Sequence, residues 1–366
     1  MDQHTYVTGP ISRRAAIAGG LTAIAGIATA GTANAAKTAA PTAGGPDRAG
    51  KAVEPKAGDE AFTSVITSTM WVEPKIHRPT VDAPCVATPS VPDQWNANMA
   101  TTESRDWLIG NLESQSLLGA RVIVDEVRDG WAKIVVPQQP TPRDKRGYPG
   151  WVPAGHVVRN DEFASLVESS PIATITALKA TVATTPSGKH PITNASFNTE
   201  LPVLGETGKA LKVALPTGEV GFVPSADARV LNQGESLPPA TIEQVIETGE
   251  RFLGLRYLWA GMSAYGFDCS GFTYSIFRHH GVHIARDAGD QLNHSDLPFV
   301  ERDDLKRGDL VFFATEPGGS SIRHVGVYVG DGKIMHAPNS SRSVEVIALE
   351  AADPNDELSL IHISEP

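Results

Sequence analysis

Two prolines, Pro238-Pro239, separate stretches of different hydrophobic period, and that change limits the folds open to the chain more than any other feature. After them Ile242, Val245, Ile246 and Phe252-Leu253 recur at the spacing of one helical face, so a new domain opens there with an amphipathic helix. Before them short apolar runs alternate with turn residues, as in a β-rich body, and the 34 Gly and 27 Pro of the 366 residues supply the turns. Arg121-Val122-Ile123-Val124 and Trp131-Ala132-Lys133-Ile134-Val135-Val136, the latter following Asp129-Gly130, read as strands of a small barrel over residues 62–160. Residues 171–232 repeat the theme, with Leu211-Lys212-Val213-Ala214-Leu215, a Pro216-Thr217-Gly218 turn and Val220-Gly221-Phe222-Val223-Pro224. The endings Gly150-Trp151-Val152-Pro153 and Gly221-Phe222-Val223-Pro224 match, which marks a duplicated module.

The start of the chain reads as an address. Arg13-Arg14 precede a small and apolar run from Ala15 to Ala30, and Ala33-Asn34-Ala35 offers a signal-peptidase site, so residues 1–35 are expected to be a twin-arginine-like signal peptide. The run lacks the apolar weight of a membrane anchor, and no cysteine follows it to take a lipid. The expectation is a secreted or wall-associated protein with no stable membrane insertion after cleavage. Residues 36–61, rich in Ala, Gly, Pro and Lys, read as a disordered tether. A net charge of −11 argues against nucleic acid as a partner. A monomer or weak associate is expected. Residues 351–366 read as a tail of uncertain origin, in which Leu358 to Pro366 continue no obvious pattern of the domain.

The chemistry centres on one of only two cysteines, Cys85 and Cys269, which form neither a disulfide framework nor a CxxC zinc pair. Phe267-Asp268-Cys269-Ser270-Gly271-Phe272 leads into a helical stretch that stops at Gly281, with Asp268 suited to the N-cap. Cys269 at a helix start meets unpaired N–H groups and the positive end of the dipole, which predicts a depressed thiol pKa and a source of oxyanion stabilisation. Small Ser270 and Gly271 leave room for a substrate. Downstream, Arg323-His324-Val325-Gly326-Val327-Tyr328-Val329 and Lys333-Ile334-Met335-His336-Ala337-Pro338 flank Gly330-Asp331-Gly332. A three-residue loop sets Gly326 opposite His336 and puts His324 and His336 on one face; a two-residue turn sends them to opposite faces. One histidine then takes the thiol proton and the other orients it, with His324 as base and His336 as orienter. Structural alternatives are a buried inert thiol or a Cys85–Cys269 disulfide. A zinc reading of His279, His280 and His283 is disfavoured, because the first two suit a helix C-terminus.

Asp268-Cys269-Ser270-Gly271-Phe272, His324-Val325-Gly326-Val327-Tyr328-Val329-Gly330 and Met335-His336-Ala337-Pro338 resemble the NlpC-type cell-wall cysteine peptidases over residues 240–350. Tyr257-Leu258-Trp259-Ala260-Gly261 resembles that family's approach to the cysteine, with Ala260 in place of a glycine, a departure expected to tighten packing. Arg286-Asp287-Ala288 with Gln291 fits the family's order. The first module resembles a bacterial SH3-like domain, and Gly147-Tyr148-Pro149-Gly150-Trp151 sharpens that to the γ-D-glutamyl-L-diamino acid endopeptidases. The resemblance implies an α+β papain-like catalytic domain, its cysteine helix packed on an antiparallel sheet, preceded by two small all-β SH3-like barrels. It implies cleavage of peptidoglycan stem peptides or muropeptides through a thioester, without cofactor or metal, at peptides with a free N-terminal L-Ala. The amine-recognising groups it points to are Tyr148, Glu113, Asp268 and Ser270, with Tyr257, Trp259, Arg286 and Asp287 completing the substrate-binding set. Competing readings are a noncatalytic wall-binding protein, and an amidase or acyltransferase on the same fold.

Overall fold

The computed structural model describes residues 48–295, 298–315, 321–352 and 362–363. The expected signal at 1–35 lies outside them. Among the described residues no helix is long and apolar enough to cross a membrane.

The duplication read from the two Gly-aromatic-Val-Pro endings is a duplication of topology. Strands Glu60–Thr63, Thr67–Trp71, Leu112–Leu117, Arg121–Arg128, Trp131–Val136, Tyr148–Pro153 and Val157–Val158, numbered one to seven, lie in the spatial order 3-2-6-5-4-1-7. Strands Ile172–Ile175, Lys179–Ala183, Pro191–Ser196, Glu200–Thr207, Ala210–Ala214, Val220–Pro224 and Ala228–Leu231 lie in the same order. In both modules the sixth strand crosses close to the second. A Cβ on Gly150 would meet Met70 Cβ at 2.9 Å, and one on Gly221 would meet Val182 Cγ1 at 2.4 Å. The glycines are there because strands that cross so closely leave no room for a methyl group.

The first module is not purely β. Between its second and third strands the chain makes three short helices, Ala83–Val86, Pro92–Asn98 and Thr102–Asp106. Pro occupies the first turn of the first two, where its missing N–H is no loss, and the Thr101 side chain caps the third by accepting from Ser104 N. Trp95, Met99 and Leu108 from this excursion bury with Trp71, Trp131 and Trp151 of the barrel and with Leu258 and Ala260 of the C-terminal domain. Cys85 lies in the same cluster; both cysteines are free thiols, so the disulfide alternative is not formed.

The expected tether over 36–61 is corrected in its second half. Ala49 is fully buried, its N–H bonds Gly218 O at 2.9 Å, and Val53 bridges Arg159. A small side chain and free backbone groups are enough to seat this segment between the two modules.

The C-terminal domain opens with the helix Ile242–Glu250, started by a reciprocal capping box between Thr241 and Gln244. Its sheet has the order Glu345–Ala348, Lys333–His336, Ile322–Gly330, Leu310–Ala314, His362–Ile363, all antiparallel. Of the tail over 351–366, the described pair His362–Ile363 adds an edge strand against Leu310 and Val311. The helix Cys269–His279 packs on this sheet, burying Phe272, Ile276 and Phe277 against Phe312, Val325 and Met335.

Candidate active site

Asp268 caps the cysteine helix, its Oδ1 accepting from Gly271 N at 2.6 Å, so Cys269 is the first helical residue. Gly271 is there for the backbone: a Cβ would lie 2.1 Å from Gly261 O, so its smallness makes space for a neighbouring loop rather than for substrate. Gln291, fully buried, bonds Thr273 Oγ1 and Ser270 O and pins the first turn. Ala260 has φ of 62°, a left-handed conformation that costs a non-glycine residue on the order of 1 kcal/mol. The departure from the family's glycine therefore costs backbone strain, not merely tighter packing.

The hairpin delivers the histidines by a different turn from the one expected. Gly330 pairs with Lys333 across a two-residue turn, Asp331-Gly332, both with positive φ. A bulge between Tyr328 and Gly330 absorbs one residue, so Tyr328 opposes Ile334 and Val327 opposes Met335. That register returns His324 and His336 to one face, with His324 Nε2 2.8 Å from His336 Nδ1.

A third group completes the line. Glu345 is the cross-strand partner of His336, and its Oε1 stands 3.4 Å from His336 Nε2, which is buried without a hydrogen bond of its own; Arg342 Nη2 is 2.6 Å from the same oxygen. A carboxylate facing Nε2 favours the tautomer with its proton there. Nδ1 of His336 then accepts from Nε2–H of His324, which leaves Nδ1 of His324 free to take a proton. The sequence carries no motif for Glu345; only the pairing of its strand reveals it.

The thiol's electrostatics differ from expectation. Burial pushes the Cys269 thiol up to about 12, nearby Asp268 pushes the same way, and the Val325 and Ser270 N–H groups and Arg286 oppose them. Burial first, then His336 and Arg323, hold His324 well below its ordinary value. Burial thus works against the charged form of each group and opposes the helix start at the thiol.

Cys269 opens on a cavity of about 340 Å³ whose walls include Glu113, Tyr148, Tyr257, Trp259, Asp268, Ser270 and Asp287. The first module thus supplies Glu113 and Tyr148, and the catalytic domain the rest. Tyr148 OH donates to Asp287 Oδ2 at 2.8 Å and accepts from Arg143 Nη1 at 3.1 Å. Burial raises the pKa of Tyr148 and of Tyr257, so both hydroxyls keep their protons. Arg286 is not part of the cavity wall. Only 1% of its side chain is exposed, and it holds Asp268 Oδ2 at 2.7 Å, Ser270 Oγ at 2.9 Å and Ser114 Oγ at 3.0 Å, a clamp behind the cavity rather than a substrate contact. His279 and His280 are structural: His279 Nδ1 bonds Asn198 and stacks on Phe197, and His280 bonds Thr248.

Comparison with known proteins covers most of this architecture. Residues 254–359 match the NlpC/P60 family and 175–230 the YKFC SH3b2 domain. The chain is 39% identical over 298 residues to a γ-D-glutamyl-L-lysine dipeptidyl-peptidase of Bacillus cereus, spanning 81% of this chain and 88% of that one. A protein of the same name from Bacillus subtilis is 37% identical over 77% of this chain and 91% of its own. The crystal structure of an NlpC/P60 family protein from Bacillus cereus superposes with a TM-score of 0.79 at 37% identity, over 84% of this chain and 99% of that one. Because the likeness runs through both barrels as well as the cysteine helix and its hairpin, this chain belongs to the NlpC/P60 family.

Proposed function

We propose that the chain is an exported cysteine endopeptidase that hydrolyses the bond between γ-D-glutamate and an L-diamino acid in peptidoglycan stem peptides bearing a free N-terminal L-Ala. One observation carries this reading: a helix-start thiol, reached by the backbone N–H of Val325 next to His324 of the buried histidine pair, opens on a cavity whose wall includes Glu113 and Tyr148 of another module. Relatives at 37–39% identity are named for the γ-D-glutamyl-L-lysine bond.

His324 takes the thiol proton as Sγ attacks the γ-carbonyl carbon. The N–H groups at the helix start receive the oxyanion, and His324 returns the proton to the departing amine. Water, deprotonated by His324, then cleaves the thioester. His336, set by Glu345, keeps the base oriented. Glu113, Tyr148, Asp268 and Asp287 place acceptors around the α-ammonium of L-Ala, and a stem still joined to glycan has no such cation. Arg13-Arg14 and the following apolar run support export, and N-terminal sequencing of secreted protein is expected to begin near Ala36.

The test is alkylation and turnover together. Iodoacetamide abolishes cleavage of L-Ala-γ-D-Glu-L-Lys, and chelators leave it untouched; the reverse pattern would contradict a thiol mechanism. Because His324 is held well below 6.5, the neutral base persists into mild acid, and the acid limb of kcat/KM falls below pH 6.5. An acid limb above that value contradicts a lowered His324.

A further inference from the structure

The amine subsite already holds a cation. Arg143, in the loop between Trp131–Val136 and Tyr148–Pro153, sets its guanidinium against both oxygens of Glu113, Nη2 at 2.8 Å from Oε1 and Nη1 on Oε2. Nη1 also donates to Tyr148 OH at 3.1 Å, and the guanidinium carbon lies 5.2 Å from the centroid of that ring. These are the first-module groups to which the proposed function gives the peptide's α-ammonium. An ammonium has three N–H donors, enough to replace the guanidinium bond for bond on Glu113 and Tyr148. The two cations compete for the same acceptors, since the guanidinium already covers both oxygens of Glu113 and donates to Tyr148 OH.

Arg143 is also placed to leave. Its side chain is 44% exposed while that of Glu113 is 15% exposed, so the carboxylate is fixed in the wall and the arginine reaches in from outside. Its remaining contact is a backbone one, Arg143 N to Thr141 Oγ1 at 3.3 Å. The nearby acids Asp125 and Asp144 are taken by Arg146. A displaced guanidinium therefore goes to water, which already reaches 44% of its side chain.

Resting on that functional reading, we propose that Arg143 occupies the amine subsite of the free enzyme as a stand-in for substrate, and that a peptide binds by exchanging its α-ammonium for the guanidinium. Arg143 is then a specificity-determining residue: it raises the KM of free-amine peptides, and it keeps Glu113 neutralised so that an uncharged N-terminus gains nothing by entering.

The experiment is steady-state hydrolysis of L-Ala-γ-D-Glu-L-Lys and its N-acetyl form by wild type, Arg143→Ala and Arg143→Met. Both substitutions lower KM for the free-amine peptide about fivefold, as expected when a competing internal cation is removed. Their kcat stays within about twofold of wild type, since transition-state contacts are untouched. The N-acetyl peptide gains nothing. If KM is unchanged or rises in both variants, Arg143 supports Glu113 rather than competing for it, and the inference is overturned while the peptidase reading stands. If wild type turns over neither peptide, the functional reading itself fails and takes this inference with it.

Discussion

The two barrels share a strand order and a closing Gly-aromatic-Val-Pro, yet they stand at opposite ends of one helix and do different work. The first meets the start of the Cys269–His279 helix: Ser114 bonds Arg286, which clamps Asp268, and Tyr148 bonds Asp287. The second meets its end, where Asn198 donates to Ser275 O at 2.8 Å and Arg229 to His279 O at 2.7 Å. Counting back two residues from Gly150 and from Gly221 gives Tyr148, buried in the cavity wall, and Glu219, exposed, its carboxylate accepting from Thr217 Oγ1. The same scaffold thus serves once as a wall of the active site and once as a buttress behind it. Position on the partner helix decides which.

The largest expected difference between the barrels is in their response to acid. His156, in the turn after the sixth strand of the first barrel, is buried, with Nε2–H donating to Ala87 O at 2.8 Å and Nδ1 accepting from Ser68 Oγ at 3.0 Å. Burial lowers its pKa from 6.5 to about 4. Between those values the unfolded chain binds a proton that the folded one refuses, so stability is full above pH 6.5 and falls as pH drops toward 4. The loss is on the order of 3 kcal/mol. The matching turn of the second barrel carries Asp227. Hydrogen exchange, corrected for intrinsic rates, is expected to show the first barrel loosening in acid ahead of the second; simultaneous loosening would break the distinction.

Next come the changes to the wall. Glu113→Ala lowers kcat/KM for a free-amine tripeptide about thirtyfold, the scale of a lost charge-assisted hydrogen bond, and leaves its N-acetyl form alone. Tyr148→Phe costs about tenfold, one neutral hydroxyl contact. Smallest is Glu219→Ala in the second barrel, expected to stay within about twofold because an exposed surface change rarely matters. Steady-state kinetics on all three separate wall from buttress, and equal losses in Tyr148→Phe and Glu219→Ala would erase the comparison.

Much of this was legible in the sequence because it rests on local rules. Asp268 before an amphipathic run and Gly281 after it mark a helix with Cys269 at its start, and the repeated strand endings mark the duplication. The parts that escaped depend on contacts distant in sequence. A Pro-rich turn at 137–143 gives no sign that Arg143 reaches Glu113, and nothing around Glu345 announces that its strand will bring it to His336. The hairpin shows a subtler limit: the side-chain faces followed from the expected register, but a bulge and a two-residue turn replace the three-residue loop. At the thiol, burial opposes the helix start, and no local pattern reveals burial.

The most direct test is mass spectrometry of L-Ala-γ-D-Glu-diaminopimelate and L-Ala-γ-D-Glu-L-Lys incubated with the purified protein, beside Cys269→Ala. Release of L-Ala-γ-D-Glu from either tripeptide by wild type, and from neither by the variant, is the predicted result. Intact peptides after incubation with folded, reduced wild type, or equal release by Cys269→Ala, would contradict the assignment of both the bond and the nucleophile.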